Sequence, residues 1–158
     1  VDALKDGELV GIFPEATISR SWELKKFKTG VSRLALQAGV PIIPVVVWGG
    51  QRIYTVDKRY SLKRGKAISI LVGEPLIPAD GAKAGRVMLD LHDRMRALLE
   101  QAQRDYPQHP SGPDDRWWLP RQLDGTAPTR EKAEEMENDA LVARRAKAAR
   151  KGVDKAAG

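Results

Sequence analysis

The chain has 158 residues, with 27 Lys and Arg against 21 Asp and Glu for a net charge of +6, and no cysteine. That length suits one domain with an attached tail, and the lack of cysteine excludes a disulfide framework, thiolate chemistry and any Cys-based metal site. No apolar run approaches the roughly 18 residues needed for a membrane-spanning helix, and Val1 heads no signal-peptide pattern. The charge is unevenly placed: eleven Lys and Arg stand between Arg20 and Lys66 against Glu23 and Asp57 alone, a local +9, and the remainder carries −3. A concentrated positive field favours anionic partners such as phosphate headgroups, an acidic membrane surface or nucleic acid. A solvated surface is the plainer account of the same charges.

Residues 1–8 are polar and compatible with a helix, and Asp6-Gly7 marks a turn. Leu9-Val10-Gly11-Ile12-Phe13 is a short apolar run and reads as a buried strand. It stops at Pro14, which cannot donate to a sheet ladder, so the strand ends there or lies at an edge. Glu15, Ala16, Thr17, Ile18, Ser19, Arg20 and Ser21 then bring a carboxylate, hydroxyls and a cation into a polar turn. Open α/β sheets bind ligands at this end of a strand. Residues 19–27 read as a loop with an exposed aromatic, Trp22. Val31, Leu34, Ala35 and Ala38 recur at helical spacing over residues 30–38, and Gly39 follows as a C-cap signal. Residues 40–48 form a near-continuous aliphatic run, as expected of a strand covered on both faces. Pro41 and Pro44 lie inside it and place it at an edge or leave it only partly paired.

Trp48-Gly49-Gly50 opens a loop with Arg52, Lys58, Arg59, Lys63 and Arg64 interleaved with Tyr54 and Tyr60. Such a mixture suits a membrane headgroup layer, single-stranded nucleic acid, or an exposed loop with a few anchoring rings. Residues 66–72 alternate into an apolar strand ended by Gly73-Glu74-Pro75, with Glu74 as a turn cap. Val87, Met88, Leu91, Met95, Leu98 and Leu99 make one stripe of an amphipathic helix over residues 85–106, the last core element. Pro107, Pro110, Pro113, Pro120 and Pro128 punctuate an aperiodic strap or linker. Within it Trp117-Trp118-Leu119 either docks back on the domain or dips into a membrane interface. Thr129 is the N-cap of a final helix, acidic in its first turns and basic from Arg144 to Lys151, which complements the helix dipole. Its apolar content is mostly alanine, so it is a solvated helix or a partly disordered tail. The organisation expected is thus a domain over residues 1–106, a strap over 107–128 and a charged tail over 129–158.

Three blocks carry a resemblance. Phe13-Pro14-Glu15-Ala16-Thr17-Ile18-Ser19 resembles the Phe-Pro-Glu-Gly-Thr-Arg-Ser block of the glycerolipid acyltransferases, the family that includes 1-acylglycerol-3-phosphate acyltransferase. Lys26-Phe27-Lys28-Thr29-Gly30-Val31-Ser32-Arg33-Leu34-Ala35 is similar to the family's Phe-Lys-x-Gly-x-x-x-Leu-Ala connection. Gly39-Val40-Pro41-Ile42-Ile43-Pro44-Val45 looks like its Val-Pro-Ile-Val-Pro-Val strand. The Gly73-Glu74-Pro75 turn also resembles the family, so the likeness runs over residues 7–75. Two positions depart from it. Ala16 replaces a glycine, which narrows the backbone conformations open to the turn. Ile18 replaces an arginine and cannot clamp a phosphate, and Arg20, two residues on, is the candidate substitute.

The resemblance implies an α/β fold, a mainly parallel sheet with packed helices, followed by a mostly helical or disordered tail. It implies transfer of a fatty acyl group from acyl-CoA or acyl-carrier protein to a lysophospholipid such as 1-acylglycerol 3-phosphate, in phospholipid biosynthesis at the cytoplasmic membrane face. It places Glu15, Thr17, Ser19, Arg20 and Lys28 in the acceptor site, with Phe13, Pro14, Pro41 and Pro44 shaping the backbone. No metal and no cofactor beyond the acyl donor is implied. The family's base is a His-x4-Asp block expected upstream of Val1, so this stretch is read as the C-terminal part of a catalytic domain, inactive alone. His109 to Asp114 matches that spacing, but it lies downstream and prolines interrupt it. His92-Asp93 reads as a helix-surface pair. The partners expected are the lysophospholipid, the acyl donor and, peripherally, an anionic membrane; nucleic acid is not expected. Two alternatives stay open: a glycolipid or other alcohol as acceptor, suggested by Ile18, and a non-catalytic basic module for an anionic membrane or nucleic acid.

Overall fold

The computed structural model describes residues 1–57 and 60–156. Lys58, Arg59, Ala157 and Gly158 lie outside the described residues. The chain divides into two compact units, Val1–Ile18 with Leu24–Ser111, and Ser19–Glu23 with Gly112–Gly158.

In the first unit a one-turn helix, α1 (Asp2–Lys5), is followed by a turn at Gly7, whose φ of +85° is glycine territory. The 30–38 pattern folds as α2 (Gly30–Ala38). Gly39 closes it in the left-handed region at φ 68°, its N–H bonding to the Ala35 carbonyl at 2.8 Å. The aliphatic run of residues 40–48 yields a shorter strand, β1 (Val45–Trp48), paired antiparallel with β2 (Ser69–Val72). Prolines set that length. Pro44 has no N–H for the ladder, although its carbonyl accepts from Gly73 at 2.9 Å, and pairing resumes at the Ile42↔Leu76 bridge with bonds of 2.9 and 2.8 Å.

The amphipathic stripe folds as α3 (Ala84–Arg104). Val87, Met88 and Leu91 are buried with Leu76, and Phe27, Val31, Leu36, Ile42, Ala82 and Met95 pack around them. α3 also packs on the sheet. Val46 and Trp48 are buried, whereas Val45, Val47, Ile70 and Val72 stay exposed. Those four are direct cross-strand neighbours, Val45↔Val72 and Val47↔Ile70, so one sheet face is an apolar surface open to water.

Three expectations are corrected. The described sheet is two-stranded and antiparallel rather than mainly parallel. Among its described residues the connection from β1 to β2 carries one 3₁₀ turn, Gly50–Arg52, and no α-helix; parallel neighbours need a crossover, usually helical. The 40–48 strand is covered on one face, not both. Residues 9–13 form no strand: Leu9 and Phe13 are 93% and 90% exposed. A strand exists only through a partner's ladder, and no described segment pairs with this run.

The root of the β1–β2 connection is tied to the end of α3. The Tyr106 hydroxyl donates to the Ala67 carbonyl at 2.6 Å and accepts from Arg52 Nη1 at 3.2 Å. Gln108 Oε1 accepts from the Ala67 N–H at 3.0 Å and from Arg52, while its Nε2 donates to the Gly65 carbonyl at 2.6 Å. Gly49 lies against this clamp at φ 102°, and a Cβ there would stand 2.3 Å from the Ala67 oxygen and 2.8 Å from the Tyr106 hydroxyl.

In the second unit Trp118 is buried, with Pro120, Ala127 and Ala133. The Pro-punctuated strap folds through backbone bonds of its own. Thr126 N–H bonds to the Arg116 carbonyl at 3.0 Å, and Arg116 Nη1 reaches the Asp124 carbonyl at 3.0 Å. Trp22, expected to be exposed, is half-buried, its Nε1–H donating to the Trp117 carbonyl at 2.9 Å. α4 (Arg130–Ala156) starts as expected at Thr129, whose Oγ1 accepts from the Lys132 N–H at 3.3 Å.

Gly49→Ala is expected to cost at least about 2 kcal/mol, from left-handed strain plus the clash with backbone; chemical unfolding of the full chain measures it. Thr129→Ala is expected to weaken α4 by about 1 kcal/mol. The Glu131 carboxyl is held below its usual range by a backbone hydrogen bond and then by Thr129. That contribution is present above the unfolded glutamate value and fades as pH falls through the lowered folded one. Helicity measured by circular dichroism should therefore differ less between wild type and Thr129→Ala in acid than at neutral pH.

Candidate functional site

The turn after Phe13 is built by its own backbone. The Ala16 N–H bonds to the Phe13 carbonyl at 3.1 Å, and Ala16 sits at φ 60°, in the left-handed region. That is the position where the resembling block carries glycine. The conformation the glycine would supply without strain is adopted here by an alanine, at a cost of about 1–2 kcal/mol.

The turn folds back on residues 25–28. Glu15 Oε2 accepts from the Lys25 N–H at 3.2 Å. Lys25 Nζ donates to Thr17 Oγ1 at 2.5 Å, and the Lys28 N–H bonds to the Pro14 carbonyl at 3.1 Å. The structure thus draws Glu15, Thr17 and the backbone of Lys28 into one polar corner, with Lys25 as its cation. Glu15 is half-buried and the Lys28 side chain is exposed, two residues before the start of α2. Chemically the corner offers a carboxylate to accept hydroxyl hydrogens, an ammonium and a hydroxyl, all within reach of solvent.

Ser19 and Arg20 belong to the second unit, where Ser19 Oγ and Ser21 Oγ stand 3.1 Å apart. Ile18 is 48% exposed. Pro14 turns the chain, Pro41 is exposed, and Pro44 is buried at the sheet's interrupted end. Phe13 is exposed rather than packed. Lys25 was not among the candidates. The motif signals only side chains, and half of Lys25's role is played by its backbone amide.

Of the two histidines, His92 packs its ring edge-to-face on Phe27 with centroids 4.9 Å apart. Asp93 pairs with Arg96 at 3.0 Å instead of with His92. His109 and Asp114 fall in different units. A shallow cleft of about 260 Å³ lies between Pro44, Gly73, Glu74, Arg94, Leu98 and Gln101; it holds none of the turn residues. Among the described residues no group of three or more His, Cys, Asp or Glu could hold a metal ion, and no helix is long and apolar enough to cross a membrane.

Comparison with known proteins bears on the same turn. Residues 1–48 match the family described as Acyltransferase. The chain is 37% identical over 93 residues to the 1-acyl-sn-glycerol-3-phosphate acyltransferase of Salmonella typhimurium, covering 58% of this chain and 35% of that protein. It is 34% identical over 87 residues to the alpha form of Ovis aries, 55% of this chain and 29% of the relative. It is 31% identical over 90 residues to the beta form of Homo sapiens, 57% of this chain and 32% of the relative. The chain therefore spans about a third of the length of these relatives. No solved structure is significantly similar to it.

Because the left-handed turn is strained by alanine, Ala16→Gly is expected to stabilise the first unit by about 1 kcal/mol. Thermal unfolding of the two chains side by side checks this, and an unchanged or lowered midpoint would contradict the strain.

Proposed function

From the match of residues 1–48 to the Acyltransferase family and the similarity to 1-acyl-sn-glycerol-3-phosphate acyltransferases, we propose that the chain is part of a glycerolipid acyltransferase, and that the whole protein moves a fatty acyl group from a thioester, acyl-CoA or acyl-carrier protein, to the free hydroxyl of a lysophospholipid such as 1-acylglycerol 3-phosphate. The acceptor hydroxyl oxygen attacks the thioester carbonyl and its proton passes to a general base. The tetrahedral oxyanion collapses, the carbon–sulfur bond breaks, and the thiolate takes the proton back. The base is not assigned to any residue of 1–158.

The observation that carries the reading is the 13–17 turn: a family block whose carboxylate and hydroxyl meet a lysine in one solvent-facing corner. Glu15 is assigned to an acceptor hydroxyl, and Thr17 with Lys25 and Lys28 to the anionic end of the acceptor. An acceptor of this kind is lipid-borne, so the reaction is placed peripherally at the cytoplasmic membrane face, within phospholipid biosynthesis. A second reading keeps the chemistry and changes the acceptor to a glycolipid or other uncharged alcohol; Ile18, where the family block has arginine, favours it.

The test is acyl transfer from labelled acyl-CoA by the whole protein to lysophosphatidate and to glycolipid acceptors. Glu15→Gln keeps an oxygen for the Lys25 amide and removes the charge. It is expected to lower kcat/KM by about 10- to 100-fold, the worth of one hydrogen bond to a charged group. Wild-type rates in Glu15→Gln would remove Glu15 from the site. Transfer confined to uncharged acceptors would select the second reading.

A further inference from the structure

We propose that the β1–β2 connection is a membrane-docking hairpin that seats the protein on an anionic lipid surface through residues 53–54 and 60–64. The inference deepens the lipid-acceptor reading above, but docking is measured without acyl transfer, so each can fail alone.

Two facing segments form the hairpin. Tyr54 and Tyr60 are an antiparallel bridge pair, and the Ser61 N–H bonds to the Ile53 carbonyl at 2.9 Å. Lys66 Nζ holds the returning arm through Ser61 Oγ at 2.6 Å and the Ser61 and Lys63 carbonyls at 3.2 and 3.3 Å. The root is held by the Tyr106–Gln108–Arg52 clamp. Above this root the large side chains stand in water: Tyr54 is 56% exposed, Tyr60 76% and Leu62 84%, with Ile53 at 37%. The two rings therefore do not anchor the loop to the core. Lys63 and Arg64, beside Leu62, are exposed as well.

A hairpin with a tied root and exposed tyrosine, leucine and cations matches what the interface rewards. Tyrosines sit at headgroup depth, leucine enters the acyl boundary, and Lys and Arg meet anionic lipid. Single-stranded nucleic acid would use the cations and the rings, but bases stack on aromatics, which leaves Leu62 and Ile53 without a role. The open face of the sheet is apolar too, but the four residues that form it, Val45, Val47, Ile70 and Val72, carry neither a ring nor a charge.

The experiment is co-sedimentation of the full chain with vesicles of phosphatidylglycerol and phosphatidylcholine, with circular dichroism confirming that each variant is folded. Lys63→Glu with Arg64→Glu is expected to weaken binding at least about tenfold. Tyr54→Ser with Leu62→Ser is expected to abolish the binding that survives high salt. Because the chain lacks cysteine, Leu62→Cys can carry an environment-sensitive dye. That dye should shift to the blue on vesicles, while one at Leu89→Cys, exposed on α3, should not. Loop variants that bind like wild type, or loss of binding only in Val47→Lys with Ile70→Lys, would overturn the proposal. So would a single-stranded oligonucleotide that binds more tightly than the vesicles and displaces them.

Discussion

The first unit depends on two side chains just past the end of α3. Tyr106 and Gln108 grip the backbone of residues 65–67 much as a neighbouring strand would: an acceptor for the Ala67 N–H, and donors for the Ala67 and Gly65 carbonyls. The half-buried N–H and C=O of Ala67 at the entry to β2 would otherwise lack these partners, each at a cost of about 1–3 kcal/mol. The same two side chains take Arg52 from the other arm. One clamp thus ties the start and the end of the β1–β2 connection to the helix that covers the sheet. This is why Gly49 has no room for a side chain, and why a long loop with one helical turn can leave and return in register.

Local chemistry made much of this legible. α2 follows from four apolar residues at helical spacing and a glycine able to take φ 68°. α3 follows from its stripe, and the start of α4 from Thr129. β1 was legible in place but not in length, because Pro44 and Gly73 interrupt pairing that reappears at Ile42 and Leu76. The clamp was not legible. Arg52 and Gln108 are 56 residues apart and Ala67 and Gln108 are 41 apart, and neither glutamine nor tyrosine announces a backbone partner. The run at residues 9–13 shows the limit of hydrophobic pattern. Five apolar or small residues have the composition of a strand, but only a partner's N–H and C=O groups make one.

The candidate site divides the same way. Glu15 and Thr17 were legible from their block, and the structure brings them to one corner. Lys25 entered through an amide that no motif encodes, and Ser19 and Arg20 pack with a different unit from the one that holds Glu15. Ala16 joins the two levels. A block that elsewhere carries glycine keeps its left-handed turn here with a Cβ in place, so the turn is retained against a conformational cost. A turn kept at that cost is imposed by the contacts on either side of it, the Phe13 carbonyl before and the Lys25 amide after.

The same distinction sorts the positive charge. Of the basic residues between Arg20 and Lys66, Lys25 is bound to Thr17, Arg52 is taken into the clamp, and Lys66 staples the returning arm of the hairpin. These cations act over hydrogen-bond distances inside the fold, and replacing them would alter structure before it altered any long-range field. Lys28, Lys63 and Arg64 are exposed, and a long-range field at the surface comes mainly from charges of this kind, screened over roughly 8 Å at physiological salt. The local excess of +9 therefore overstates the charge available to a partner. What remains is concentrated in two places, the start of α2 beside the Glu15 corner and the returning arm of the β1–β2 hairpin. An anionic acceptor held at the first and an anionic surface met at the second would each use a cation that the fold itself does not require.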